Sequence, residues 1–525
     1  MVLGDIARKN ARLYPDRVAV TCRERRYTFA EVDRFANRVA NALIARGVSR
    51  GQRVAFLSRN SAEYAAVEFG IAKSGATAVL VNFRLAVPEI DYVLADSEPA
   101  ALIVEDDCEP LVSVFAAGRP GLTCLRLPSR GDGDVVATTP WLREAADAEP
   151  GVTVDESDLL FIIYTSGTTG RPKGAMITHR NTVWSSHNYA LEFRLHPGDI
   201  GLHPMPLFHA GGGTIFLSTV FAGCSAVVVR DFSPGEVLDL IERERVTVAI
   251  LVPAMIIRLL EHPDVERRDF SSLRLIMYGA APMPMDRLRR ALQVFPCRFI
   301  NSYGQTEATP SISFLRPEDH RVAGDAVWER RLGSVGRETY NVEARVVNDA
   351  GAEVRPGEVG EVVCRGNNVM AGYWRQPAAT AATIKNGWLY TGDLATVDDG
   401  GYIYLVGRKK ELIITGGENV YPAEVEQAIS AHPAVLEVAV FGLPDPAWGE
   451  RVIAAVALRP GHAASAEELT GFCRSRLAGY KRPRTICFVD ALPRNAAGKT
   501  LKHVLQCQFG GTGDAATTID VRTAP

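Results

Sequence analysis

The segment from Tyr164 to Gly174, Tyr-Thr-Ser-Gly-Thr-Thr-Gly-Arg-Pro-Lys-Gly, gathers glycines, hydroxyl residues and one lysine into a single short stretch. Glycines let backbone N–H groups converge, hydroxyls donate hydrogen bonds, and an ammonium neutralises, so this is chemistry for an anion. A plain surface turn needs one or two glycines and not this hydroxyl set. The spacing is not that of a Walker A loop, because only two residues separate Gly167 from Gly170, and two more separate Gly170 from Lys173. Gly498-Lys499-Thr500 imitates the end of such a loop, but Pro493 stands where its first glycine belongs. No GxGxxG follows a strand-like run, which disfavours a dinucleotide enzyme.

Other segments carry chemistry on their own terms. Asn301-Ser-Tyr-Gly-Gln-Thr-Glu-Ala308 groups an aromatic ring, hydroxyls and a carboxylate. A carboxylate beside bound phosphates calls for a metal between them, and locally the same acid also reads as a helix cap. Asp393 follows Gly392 in a turn, where a lone Asp is commonly an Asx cap. His209, between Phe208 and Ala210, reads more readily as a core residue than as a catalyst. Gly279, Ala280, Ala281 and Pro282 suit tight packing as well as the wall of a pocket, and Lys499 lies in a loop where a lysine is ordinarily solvated.

Taken together, these segments resemble the signature of the acyl-adenylate-forming superfamily, which holds acyl- and aryl-CoA synthetases, luciferases and peptide-synthetase adenylation domains. The resemblance runs in order through the 164–174 loop, PLFH (206–209), YGAAP (278–282), NSYGQTEA (301–308), GSVGR (333–337), GWLYTGDLA (387–395), GYIYLVGRKKELIITGGENVYPAEVE (401–426) and PRNAAGKTLK (493–502). It implies that Thr165, Ser166, Gly167, Thr168, Thr169 and Lys173 hold the phosphates of ATP. Tyr303 then stacks on adenine with Asn301 and Gly304 beside it, and Gly279, Ala280, Ala281 and Pro282 wall the adenine and the acyl group. Thr306 contacts the α-phosphate, Glu307 with Thr168 holds Mg²⁺, Asp393 takes the ribose hydroxyls, and Arg408 reaches ribose and phosphate. His209 gates an acyl pocket that includes Ala210, Gly211, Tyr278, Gly279 and Gln305. Lys499 bridges the carboxylate and the α-phosphate.

The implied reaction has two halves. A carboxylate attacks the α-phosphorus of ATP, giving acyl-AMP and pyrophosphate, and the thiol of coenzyme A then displaces AMP. A small C-terminal domain turning about Lys410 would exchange Lys499 for the Gly416–Gly417 segment beside a pantetheine tunnel. Family members that activate amino acids carry an Asp directly after the position of His209; here it is Ala210, followed by Gly211, Gly212 and Gly213. An uncharged acyl group and a roomy, apolar pocket follow, for an aromatic acid or a medium-to-long fatty acid. The alternatives are an acyl-AMP ligase that loads a carrier protein, and a catalytically silent nucleotide-binding homologue.

The elements that position these residues are legible from period. Strand-like runs (53–58, 76–82, 101–106, 224–230, 248–252) alternate with amphipathic, helix-length stretches, which gives α/β architecture with parallel-rich sheets. The expected fold is a large N-terminal domain of two such subdomains plus a small β-barrel-like unit, with a small, mobile α+β C-terminal domain. The boundaries are 1–408, 409–510 and a flexible tail at 511–525. Length 525, 47% hydrophobic residues and a formal net charge of −3 exclude a disordered chain and give no footprint for nucleic acid. The longest apolar run, Val248–Ile257, is broken by Pro253 and too short for a membrane span. Nine scattered cysteines without CxxC read as reduced core thiols, and no secretory leader is apparent, so the expected compartment is cytoplasmic. The expected partners are the small-molecule acid, ATP and coenzyme A, with a homodimer left open.

Overall fold

The computed structural model describes residues 1–119, 121–129, 134–165, 172–321, 326–494 and 500–510. The tail at 511–525 lies outside them. The chain divides into two compact units: residues 1–344 with 364–390, and residues 345–363 with 391 onward. It passes between them inside the strands Val342–Val347, Gly360–Gly366 and Trp388–Val397.

The first unit holds two large sheets. One runs in space from Arg337–Glu338 through Ser313–Leu315, Arg298–Tyr303, Leu275–Gly279, Val248–Leu251, Ile200–His203, Ser225–Val228 and Val18–Cys22 to Arg25–Thr28. Its six inner strands, from Arg298–Tyr303 to Val18–Cys22, pair in parallel and its edges antiparallel. The other sheet is parallel from Thr123–Leu127 through Ala101–Glu105, Arg53–Leu57 and Thr77–Leu80 to Leu159–Thr165, which then pairs antiparallel with Lys173–Thr178. Parallel strands need both faces covered, and the side chains are distributed accordingly. Val248, Ile250, Leu275 and Met277 pack with Phe193 and Phe314, while the helices Leu3–Leu13, Phe29–Ala45, Tyr64–Lys73 and Ala210–Phe221 share one core with strands of both sheets. The α/β, parallel-rich architecture expected from the alternation is therefore present.

In the second unit, Trp388–Val397 pairs antiparallel with Ile403–Arg408, and the long antiparallel pair Val435–Asp445 and Gly449–Leu458 carries Thr485–Phe488 in parallel on its edge. Helices Pro422–Ser430 and Ala466–Arg474 bury Val425, Ile429, Leu469 and Cys473 against that sheet. All cysteines are free thiols, but Cys124 and Cys507 are exposed rather than in the core. Among the described residues no helix is long and apolar enough to cross a membrane.

One helix of the first unit carries an unusual burden. Tyr64–Lys73 is buried on every side, and neither carboxyl oxygen of Glu68 has a hydrogen-bond partner. Burial raises the Glu68 carboxyl well above 4.5, so the folded chain holds it neutral. A carboxyl raised on folding stabilises the fold below its unfolded value, and that stability drains away as pH climbs through the folded value. Glu68→Gln removes the titration. Thermal unfolding should therefore show a gain over the parent protein that is small near pH 4.5 and grows towards pH 8. A difference independent of pH would contradict the neutral buried carboxyl.

Candidate active site

Strands Leu159–Thr165 and Lys173–Thr178 form an antiparallel pair whose last register is Thr165 opposite Lys173. The anion loop is therefore the connection of a hairpin; Ser166, Gly167, Thr168 and Thr169 lie outside the described residues. The stem is braced. Tyr164 donates to Asp96 at 2.5 Å, Tyr92 donates to the Pro172 carbonyl at 3.2 Å, and a Cβ on Gly174 would stand 2.7 Å from Ile162. The Lys173 ammonium lies 5.1 Å from the centre of the Tyr373 ring, and the Tyr373 hydroxyl donates to Glu307 Oε1 at 2.9 Å. Burial and the adjacent Glu307 charge push the Tyr373 hydroxyl above its ordinary value, so it stays a donor. This joins the stem of the loop to the Asn301–Ala308 segment.

Thr306 is buried and Glu307 half-buried in a 3₁₀ turn. The helix-cap alternative is not what the side chain does: it accepts from Tyr373, and no side chain caps the turn. The turn is held from outside. Met370 N donates to the Glu307 carbonyl at 2.9 Å, and Asn368 donates to the Ala308 and Ser311 carbonyls at 2.8 and 2.7 Å. Tyr373, Met370 and Asn368 were not legible as site residues; the only local signal was a strand-length Gly-Tyr after a turn.

Strands Leu275–Gly279 and Arg298–Tyr303 run in parallel with Tyr278 beside Asn301, so both segments emerge at carboxyl ends of neighbouring strands. Glycine is required here for close approach: a Cβ on Gly279 would lie 2.3 Å from the Ser302 carbonyl, and one on Gly304 1.7 Å from the Pro310 carbonyl. Ala280 has φ +67°, a left-handed conformation that costs a non-glycine residue on the order of 1–2 kcal/mol, and with Ala281 and Pro282 it is exposed. Packing thus accounts for Gly279, and the three residues after it form an exposed ledge strained at Ala280. Tyr303 is buried and Gln305 half-buried. Tyr278 is buried and donates to His320 Nε2 at 3.0 Å, while His320 Nδ1 donates to the Arg316 carbonyl at 2.9 Å. Burial lowers His320 to about 4, which keeps it neutral in this relay.

His209 caps the helix Ala210–Phe221, its Nδ1 accepting from Gly211 N at 3.2 Å, and burial lowers its ring below the ordinary value. Ala210 sits in the apolar core with Leu207, Phe208 and Phe216. Two of the three following glycines are taken up by backbone packing, while a Cβ on Gly211 would meet only Met205 and His209 at 3.4 and 3.5 Å. A Cβ on Gly212 would lie 2.1 Å from the Pro206 carbonyl and one on Gly213 2.4 Å from the Leu207 carbonyl. The 205–207 backbone is clamped from its other side by Asn60, which donates to the Met205 and Val229 carbonyls at 2.9 and 3.0 Å and accepts from Leu207 N at 2.9 Å. Asn60 is itself anchored by Arg230, whose guanidinium meets the Asn60 carbonyl at 3.3 Å and Glu105 at 2.7 Å. Sequence reading missed this knot.

In the second unit, Asp393 is buried and pairs with Arg408 Nε at 2.9 Å. Lys410 lies in the 3₁₀ turn Lys409–Glu411. Gly416 (φ +60°) donates to the Trp448 carbonyl at 2.7 Å, and a Cβ there would lie 2.8 Å from the Trp448 ring. Gly417 needs glycine for another reason: its φ is +83°, although the space around it is open. Half-exposed Trp448, with the Arg484 guanidinium 4.2 Å from its ring centre, is a further residue the sequence reading did not single out. Lys499 lies outside the described residues; the bridge between Arg494 and Thr500 closes its loop.

Residues 7–374 match the family model for the AMP-binding enzyme, and residues 424–499 match that for the AMP-binding enzyme C-terminal domain. The chain belongs to the AMP-binding enzyme family. Within it, the chain is 40% identical to a feruloyl-CoA synthase of Amycolatopsis sp, over 97% of this chain and 99% of the relative. It is 37% identical to a long-chain-fatty-acid–CoA ligase of Mycobacterium tuberculosis, over 93% of this chain and 94% of that one. The solved structure of ATP-bound MatB from Rhodopseudomonas palustris superposes with TM-score 0.88 at 32% identity, covering 97% and 99% of the two chains. This AMP-binding enzyme is an AMP-forming acid–thiol ligase, a class with which ATP and coenzyme A fit as co-substrates. In this member the Tyr303–Gln305 turn has no room for a side chain at its centre. Gly304→Ala should cost at least about 1–3 kcal/mol, the range for overpacking a tight site, read as a lower denaturation midpoint. An unchanged midpoint would mean the Pro310 carbonyl moves aside freely.

Proposed function

We propose that the enzyme is an ATP-dependent carboxylic acid:CoA ligase that forms an acyl-AMP, and that its acid is apolar, either aromatic or a medium-to-long fatty acid. The observation that carries the site assignment is the contact series Lys173, Tyr373, Glu307 at the stem of the glycine- and hydroxyl-rich hairpin. It brings a cation and a carboxylate to the ring and the hydroxyl of one tyrosine, which supports a site for phosphate with its metal ion. A single hard carboxylate suits Mg²⁺, which takes one or two carboxylates and fills its remaining positions with substrate phosphate oxygens and water. Tyr373 engages one Glu307 oxygen through a neutral donor, so the carboxylate keeps its charge for the ion; Thr168 would be its companion. When bound, Mg²⁺ supplies charge neutralisation to the phosphates.

The chain's own residues do the rest. Thr165 and Lys173 with the loop between them orient the phosphates, Thr306 meets the α-phosphate, and Tyr303, Asn301 and the 279–282 ledge hold the base. Asp393 and Arg408 take the ribose. The acid needs no general base, being ionised at neutral pH, so His209, kept neutral by burial, serves as a wall and not as a catalyst. Ala210 in place of an acidic residue leaves nothing to pair with a substrate ammonium, and the relatives named for feruloyl and long-chain fatty acyl substrates point the same way. Gly212 and Gly213, spent on backbone packing, no longer support a roomy pocket, so the apolar reading rests on Ala210 and those relatives. We place the enzyme in the cytoplasm, where ATP and coenzyme A are found. Mass spectrometry of incubations with ATP, a carboxylic-acid panel and either coenzyme A or holo-carrier protein tests the reading. Acyl-AMP and acyl-CoA are expected; thioester only on the carrier protein would replace the acceptor, and no adenylate from any acid would overturn the ligase.

Rotation about Lys410 separates the half-reactions in this reading, with Lys499 serving the first and Gly416–Gly417 the second. Lys499→Ala should slow adenylate formation by ~10²–10³, the range for loss of one charge-stabilising contact, yet still convert synthetic acyl-AMP and coenzyme A to thioester. Gly416→Leu should do the reverse, because its side chain collides with Trp448 beside the thiol path. Both variants are first checked for folding by circular dichroism. Loss of the same half-reaction in two folded variants would refute alternation.

A further inference from the structure

In the second unit the strand Trp388–Val397 is interrupted where the site needs it. Gly392 takes φ +73°, and the register with Ile403–Arg408 shifts between Leu394 and Ala395. A left-handed residue inside a strand turns its N–H away from the regular ladder and needs another acceptor. Glu361, on the strand Gly360–Gly366, supplies it: Oε1 accepts from Gly392 N at 3.0 Å. Its Oε2 lies 3.3 Å from the Lys409 ammonium, which also pairs with Asp349 at 2.8 Å. The same stretch is pinned once more, by Thr391 Oγ1, which donates to the Val362 carbonyl at 2.7 Å and accepts from Asp393 N at 3.1 Å. The Glu361 side chain is only 12% exposed, whereas that of Asp349 is 93% exposed, so Glu361 is the fixed partner of Lys409 and Asp349 the solvated one.

Both contacts of Glu361 fall one residue away from a member of the Asp393–Arg408 pair. Gly392 precedes Asp393, and Lys409 follows Arg408. One carboxylate thus holds the backbone N–H before Asp393 and the ammonium side chain after Arg408, on either side of a 2.9 Å ion pair whose two members come from different strands. We propose that Glu361 is the positioning residue for ribose recognition: it fixes where the Asp393 carboxylate and the Arg408 guanidinium stand, without touching the nucleotide. This rests on the reading of Asp393 and Arg408 as the ribose contacts.

The experiment compares ATP with 2′,3′-dideoxy-ATP, which lacks both ribose hydroxyls, in pyrophosphate release with the best acid of the panel. The readout is the ratio of kcat/KM for the two nucleotides, which a merely structural loss would lower equally and leave unchanged. Asp393→Ala should collapse the ratio on the order of a hundredfold, as expected for charge-assisted hydrogen bonds to two hydroxyls. Glu361→Ala should lower it on the order of tenfold in folded protein. Glu361→Gln keeps an acceptor for Gly392 but releases Lys409, so its ratio should fall between those of the parent protein and Glu361→Ala. If Asp393→Ala collapses the ratio while folded Glu361→Ala keeps it, the positioning role is overturned and the ribose reading stands. A parent-level ratio in Glu361→Gln, the variant that decides should Glu361→Ala not fold, overturns it likewise. If Asp393→Ala itself keeps the ratio, the ribose reading falls and the positioning role falls with it.

Discussion

The first unit depends on one buried ion pair, Arg230 with Glu105 at 2.7 Å, whose side chains are 5% and 3% exposed. Glu105 ends a strand of one large sheet and Arg230 lies two residues past the end of a strand of the other, so the pair ties the two sheets together at those carboxyl ends. A buried ion pair recovers its desolvation cost only when hydrogen bonds engage the remaining oxygens and N–H groups, and here they do. The second Glu105 oxygen accepts from Arg59 N at 2.9 Å, and the guanidinium reaches the Asn60 carbonyl. Asn60 passes the constraint to the backbone of 205–207, and the Gly212–Gly213 contact closes it from behind. His209 is thereby placed by residues far from it in sequence. Gly212 and Gly213 are what let the helix come this close to the 206–207 backbone.

Much of the fold and part of the site were legible because they are local. Alternating strand and helix periods gave the parallel-rich sheets. The glycine- and hydroxyl-rich loop between Thr165 and Lys173 was legible from residue types over a few positions, whereas its closing a hairpin and the close approach at Gly304 were not. What escaped is the set of residues whose role comes from pairing across the chain. Tyr373 reaches Glu307 over 66 residues, Asn60 meets Leu207 over 147, and Glu361 meets Gly392 over 31. None of these has a composition or spacing that announces it, since a buried Asn or Tyr is recognised only by what it satisfies. Glycine shows the same limit from the other side. Gly416 and Gly417 look equivalent in sequence, yet one is required by a tryptophan ring and the other by its backbone angle.

Those non-local residues share a physical task. Adenylation brings an anionic acid against an anionic triphosphate, so the site needs cations, but cations held loosely would be solvated and of little use. Among the described residues of the proposed site, Lys173 and Glu307 are each in contact with a group that orients them without cancelling their charge. Lys173 lies over an aromatic face, which attracts the ammonium while leaving its charge intact. Among the described residues Glu307 is held by a neutral hydroxyl and not by a lysine or arginine, which in the proposed reading leaves its negative charge to a divalent ion. Asp393 and Arg408 are the exception, since they neutralise each other at 2.9 Å. A ribose offers hydroxyls that donate and accept, and a neutral ion pair presents one acceptor and one donor side by side without adding net charge. That arrangement is selective only if the two groups do not drift apart or rotate. Orientation of this pair therefore has to come from the strands that carry it, which is where the half-buried carboxylate of Glu361 acts.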